Sequence, residues 1–130
     1  MADVLVVDDN PVVRTLARFA LEAAGIGVRD AADGVEALRV IAEPDSDIDC
    51  VVLDIMMPNL SGHDVLAALQ VAKGGHCEAR PVVLMLTCKT DDDDVARAFE
   101  LGAGDYMTKP FDPDELVAAV RELLYGTLAR

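Results

Sequence analysis

Positive charge is scarce in this sequence: 11 lysines and arginines stand against 24 acidic residues, for a formal net charge of -13. Basic residues so few and so scattered cannot build a phosphate-neutralising stripe, which argues against a nucleic-acid surface. Cysteine is also sparse. Cys50, Cys77 and Cys88 are an odd number with no C-x-x-C pair, so neither a disulfide framework nor a zinc site is suggested, and a reducing compartment is indicated. No apolar run approaches the roughly 20 residues that span a bilayer. The N-terminus enters its first apolar stretch without a basic region or cleavage site. The expectation is a cytoplasmic protein with no membrane segment and no direct contact with nucleic acid.

What is present is an ordinary globular composition, 52% hydrophobic and 27% charged over 130 residues, enough for one compact domain with a real core. Apolar runs of strand length recur at 4–7, 51–53 and 82–86, with weaker candidates at 27–31 and 104–107, and helix-period segments lie between them. "VLVV", "CVVL" and "VVLML" are nearly continuous and β-branched, as in strands covered by helices on both faces. The pattern predicts an α/β fold of five βα units, doubly wound around a mostly parallel sheet. Helix starts are marked by polar acceptors: Asn10 before Pro11, Asp33 before Glu36, Ser61 before Asp64, Asp112 before Pro113 and Glu115, and Thr90 opening "TDDD". The last helix carries an apolar stripe of Leu116, Val117, Val120, Leu123 and Leu124 that would lie on the sheet. "KGGHCEARP", residues 73 to 81, reads as a flexible loop. No linker or second domain is visible, and the chain stops soon after its fifth helix.

In a doubly wound sheet, ligands sit outside the carboxyl ends of the strands, so those ends belong together. Strand one ends in Asp8 and Asp9, strand three in Asp54 and strand four in Thr87, while Lys109-Pro110 follows strand five. Three carboxylates, a hydroxyl and an ammonium are expected to converge. Two carboxylates about 4 Å apart repel by about 4 kcal/mol at an effective dielectric near 20, so the cluster calls for a cation. Oxygen-only ligation in a shallow crevice suits magnesium. Such a site can neutralise a transferring phosphoryl group while one aspartate acts as nucleophile.

"VVDDN", "VVLDIMMPNLSG", "VVLMLT" and "GAGDYMTKPF" resemble, in order and spacing, the receiver domain of two-component response regulators, from about Val4 to about Leu124. The resemblance implies the flavodoxin-like strand order 2-1-3-4-5. It implies that Asp54 accepts a phosphoryl group from a sensor histidine kinase or phosphotransfer protein. It implies a magnesium site of Asp8, Asp9, Asp54 and the Met56 carbonyl, with Asp9 the direct ligand and Asp8 often acting through water. Lys109 would pair with Asp54 or its phosphoryl group. Thr87 would be the switch hydroxyl, Tyr106 the aromatic that turns inward, and Pro110 the proline after a cis peptide. A homodimer through the helix 4, strand 5, helix 5 face also follows from the resemblance. So does a domain assignment of 1–130 to one receiver with no output domain in this chain.

Simpler readings accompany each signal. Asp91 to Asp94 are acids that a helix dipole favours at its start. Met56, Met57 and Met85 read as packing residues, and His63 and His76 as surface or loop residues. Within the resemblance, Met56 and Lys89 occupy variable positions flanking an attacking water. Apolar Met56 cannot orient that water, so a phosphoryl group should persist moderately long. Cys88 stands where a smaller residue is frequent. Two rivals remain: an aspartate-nucleophile phosphatase of the haloacid dehalogenase kind, with its nucleophile after strand one, and a receiver used only as a non-phosphorylated binding module. Asp8-Asp9-Asn10 is D-x-N rather than the D-x-D of those phosphatases.

Overall fold

The computed structural model describes residues 3–44, 46–75, 79–88 and 92–126. Five strands, β1 (Asp3–Val7), β2 (Gly27–Ala31), β3 (Ile48–Asp54), β4 (Val82–Thr87) and β5 (Asp105–Thr108), alternate with five helices. The helices are α1 (Pro11–Ala23), α2 (Gly34–Ala42), α3 (Gly62–Ala72), α4 (Asp92–Glu100) and α5 (Pro113–Tyr125). All strand pairs are parallel and the sheet order is β2-β1-β3-β4-β5. The flavodoxin-like α/β architecture expected from the sequence is therefore present.

Alternation along the strands divides the core in two. Leu5, Val7, Val51, Leu53, Val83 and Met85 point to one face, against α2, Val65, Leu66 and Leu69 of α3, and Ala98 of α4. Val4, Val6, Cys50, Val52, Leu84 and Leu86 point to the other, against Ala17 and Leu21 of α1 and Leu116, Val120 and Leu124 of α5. Burial on both faces explains why the central strands are almost wholly apolar. It also pushes the Cys50 thiol up to about 12, leaving an inert core residue.

Local sequence fixes the helix starts as anticipated at four sites. Asn10 accepts from the Val12 and Val13 N–H groups, Asp33 from Glu36 N–H, and Asp112 from Asp114 N–H. Ser61 and Asp64 form a reciprocal capping box. Thr90 and Asp91 lie outside the described residues, as do His76, Cys77 and Lys89, but Asp92, Asp93 and Asp94 do occupy the first turn of α4. β3 begins three residues earlier than the apolar run suggests, because Ile48 and Cys50 pair with β1 across a register irregularity at Asp49. The loop after α3 is tied at its ends: the Lys73 ammonium donates to the carbonyls of Ala79 and Pro81. Gln70 of α3, nine-tenths buried, has neither side-chain polar atom hydrogen-bonded among the described residues.

Register aligns the carboxyl ends of the strands. Val7 lies opposite Ala31 and Leu53, Asp54 opposite Leu86, and Thr87 opposite Thr108. Residues leaving β1, β3, β4 and β5 therefore meet in one crevice.

Candidate functional site

Three acidic side chains meet there. Asp8, Asp9 and Asp54 each bring a carboxylate oxygen within 4.8 Å of the others. At that separation each pair of full charges repels by about 3.5 kcal/mol at an effective dielectric near 20. Asp8 and Asp54 are buried, whereas Asp9 is exposed. An all-oxygen donor set with one open side fits a hard divalent cation that retains water.

Lys109 is the counter-charge. Its ammonium lies 2.6 Å from Asp8 Oδ2 and 3.3 Å from Asp54 Oδ1. The ion pair between Lys109 and Asp54 expected from the sequence is present, and the lysine also bridges to Asp8, to which it stands nearer. Asp8 is fully engaged: Oδ1 accepts from Asn10 N–H at 2.9 Å, Oδ2 from Lys109, and its carbonyl from the Arg14 guanidinium at 2.6 Å. Asp54 Oδ1 takes a longer bond from Met56 N–H, 3.3 Å, while Asp54 Oδ2 has no hydrogen bond among the described residues.

Burial dominates the titration of Asp54. Burial, then the Asp8 charge, push the Asp54 carboxyl up to about 6, against the pull of Lys109 and Met56 N–H. Burial alone would depress Lys109, but its hydrogen bond to Asp8 and the charges of Asp54 and Asp8 outweigh that and hold the ammonium above its ordinary value. A carboxylate that is buried and incompletely compensated is a stronger base than a solvated one.

The remaining candidates sit around this centre. Thr87 is buried at the end of β4, and its carbonyl accepts from Lys109 N–H at 2.7 Å. The Lys109–Pro110 peptide is cis. Tyr106 is 40% exposed, with its ring edge-on to Phe99 at 5.8 Å between centroids, so in this state it lies outward. Met56 is 56% exposed, so it is no packing residue; Met85 is in the core and Met57 lies against it. Met56 contributes through its backbone and leaves its side chain on the crevice rim.

Comparison with known proteins decides the family. Residues 4–121 match the response regulator receiver domain. The chain belongs to the response regulator receiver family. This receiver is 43% identical over 121 residues to the alkaline phosphatase synthesis transcriptional regulatory protein PhoP of Bacillus subtilis, covering 93% of this chain and 48% of that protein. It is 39% identical over 129 residues to the DNA-binding dual master transcriptional regulator RpaA of Synechocystis, covering 98% and 51%. The chain thus spans about half the length of these curated relatives. The crystal structure of the chemotaxis protein CheY4 of Vibrio cholerae superposes with a TM-score of 0.85 at 31% identity, covering 95% of this chain and 99% of that one. A receiver is a phosphoaccepting signalling switch rather than an enzyme, and receivers partner histidine kinases. Among the described residues, no helix is long and apolar enough to cross a membrane.

Three features of this receiver were not read from its sequence. A Cβ at Gly62 would lie 2.4 Å from the Asp54 carbonyl oxygen and 2.8 Å from Ile55 Cα, so α3 starts hard against the end of β3. The signal was a glycine directly after the Ser61 cap, a poor helix former in a helical position. His63, expected at the surface or in a loop, is partly buried and its Nε2 lies 3.0 Å from the Asp94 carbonyl of α4. Arg14 reaches the carbonyl of Asp8 and, at 3.8 Å, the Asp30 carboxylate of β2. Neither His63 nor Arg14 has a spacing signature, because their partners come together only in the fold.

Proposed function

We propose that Asp54 is the phosphoacceptor of this receiver and that magnesium is its cofactor. One observation carries the reading: Asp54 is buried among two further carboxylates and an ammonium, with Oδ1 held and Oδ2 without a hydrogen bond among the described residues. In the transfer, Asp54 Oδ2 forms a bond to phosphorus. The P–N bond of a phosphohistidine breaks, and its electron pair stays on the imidazole nitrogen. Lys109 pairs with the transferred phosphoryl oxygens, and Asp8, Asp9 and Asp54, with the Met56 carbonyl, are the residues that would hold magnesium. Magnesium, when bound, offsets the charge that the carboxylates and the phosphoryl group bring together. The exposure of Asp9 supports it as the direct ligand, and the three occupied acceptors of Asp8 support an outer role.

The donor is a sensor histidine kinase or a phosphotransfer protein. Val12, Leu16 and Phe19 of α1 are exposed beside a crevice lined by Val13, Cys88, Lys109, Pro110 and Phe111, an apolar rim suited to a helical donor. Thr87 and Tyr106 are the switch pair that carries phosphorylation to α4, β5 and α5. Phe99 and Tyr106 leave exposed aromatic surface on that face, which supports a homodimer there. Residues 1–130 then form one receiver unit, acting by protein contact alone or as the input of a longer regulator.

Incubation with acetyl phosphate and magnesium, followed by mapping of the labelled aspartate by mass spectrometry, tests the assignment. Label on Asp54, lost in Asp54→Asn, is expected. Label on Asp8 would support the phosphatase reading, and a chain that stays unlabelled would support a binding module.

A further inference from the structure

We propose that Arg14 is a positioning residue for the cation site, orienting Asp9 by clamping the carbonyl of Asp8. The inference rests on the magnesium reading above. The Asp9 side chain makes no hydrogen bond or ion pair among the described residues, so only its backbone fixes where that carboxylate points. That backbone is held on both sides. After Asp9, the Asn10 N–H donates to Asp8 Oδ1 at 2.9 Å. Before it, the Asp8 carbonyl accepts from Arg14 Nη1 at 2.6 Å, a charge-assisted bond. Arg14 is itself braced: its Nε lies 3.8 Å from Asp30 Oδ2, Arg18 reaches the other Asp30 oxygen at 3.8 Å, and the Arg14 side chain is only 19% exposed. The guanidinium thus ties α1 and β2 to the one peptide that aims an otherwise unsupported ligand.

The sign of its effect separates positioning from charge. A fixed cation near a dication site opposes metal binding, so removing Arg14 would by charge alone tighten it. Loss of orientation acts the other way, and removal of an outer-shell partner costs about 10- to 100-fold in metal affinity.

The test is calorimetric titration of the intact chain with magnesium chloride, alongside thermal unfolding in EDTA, for wild type, Asp9→Asn, Arg14→Met and Arg14→Lys. Arg14→Met is expected to bind about 10- to 100-fold more weakly, and Arg14→Lys to recover part of that loss. Affinity in Arg14→Met equal to wild type or tighter overturns the role of Arg14. If Arg14→Met does not unfold cooperatively, Arg14→Gln carries the same comparison with the same two outcomes. A wild type that does not bind magnesium, or Asp9→Asn that binds as well as wild type, overturns the magnesium reading instead.

Discussion

Substituting Asp54 by asparagine should stabilise the metal-free chain at neutral pH while abolishing its phosphorylation. The Asp54 carboxyl titrates at about 6 in the folded chain against an ordinary 3.8, chiefly because it is buried. The folded state therefore holds its proton more tightly than the unfolded state. Stability contributed by the neutral form is fully present below the unfolded pKa and is lost as pH rises through the folded value. Between pH 3.8 and about 6 the loss amounts to about 3 kcal/mol, at 1.36 kcal/mol for each tenfold change in proton affinity. Asparagine keeps the shape and never ionises. Lys109 does not confuse the window, because its raised pKa contributes stability that is lost only above its ordinary value of 10.5. Urea unfolding in EDTA at intervals from pH 4 to 8, for wild type and Asp54→Asn, isolates the group as the difference between two curves. That difference should be near zero at pH 4 and approach about 3 kcal/mol at pH 7.5. At pH 7.5, magnesium at a hundredfold excess over its Kd should return about 2.7 kcal/mol to the wild type. A difference that stays flat across the window, or an asparagine variant less stable than wild type at pH 7.5, would refute the reasoning.

Two further substitutions test the walls of the crevice. Gly62→Ala drives a methyl group into the Asp54 carbonyl and Ile55 Cα, backbone atoms that cannot swing aside; a loss of about 2 kcal/mol in urea unfolding is expected, and an unchanged midpoint would contradict the close approach. Met56→Asn places an amide on the rim where the exposed methionine now stands. It should shorten the life of the phosphorylated form several-fold in a phosphate-release assay, and a longer life would show that Met56 does not set the rate.

How much of this was legible depended on how local the cause is. Caps such as Ser61 with Asp64 and Asn10 before Pro11 act within one helical turn, and four of them form as written. The doubly covered strands announce themselves because both faces need apolar residues. β3 was misjudged at its start, where Asp49 interrupts the apolar run although pairing to β1 continues on either side of it. The crevice could be assembled from strand ends, since parallel topology forces those ends together. Its internal wiring could not: Lys109 and Asp8 are 101 residues apart, and nothing in either neighbourhood shows that the lysine stands closer to Asp8 than to Asp54.

That unequal sharing has a consequence for how the site communicates. Lys109 joins the crevice twice, by its ammonium to Asp8 and Asp54 and by its N–H to the carbonyl of Thr87. A charge placed on Asp54 competes with Asp8 for the same ammonium, and the residue that carries it is fastened to β4 through its own backbone N–H. Under the proposed reading, the resulting displacement falls on Thr87 and on the β5 end beside Tyr106. The α1 side responds less, because Asp8 is also fixed there by Asn10 and Arg14. The placing of Lys109 between Asp8, Asp54 and the Thr87 carbonyl is thus what directs the response toward β4 and β5.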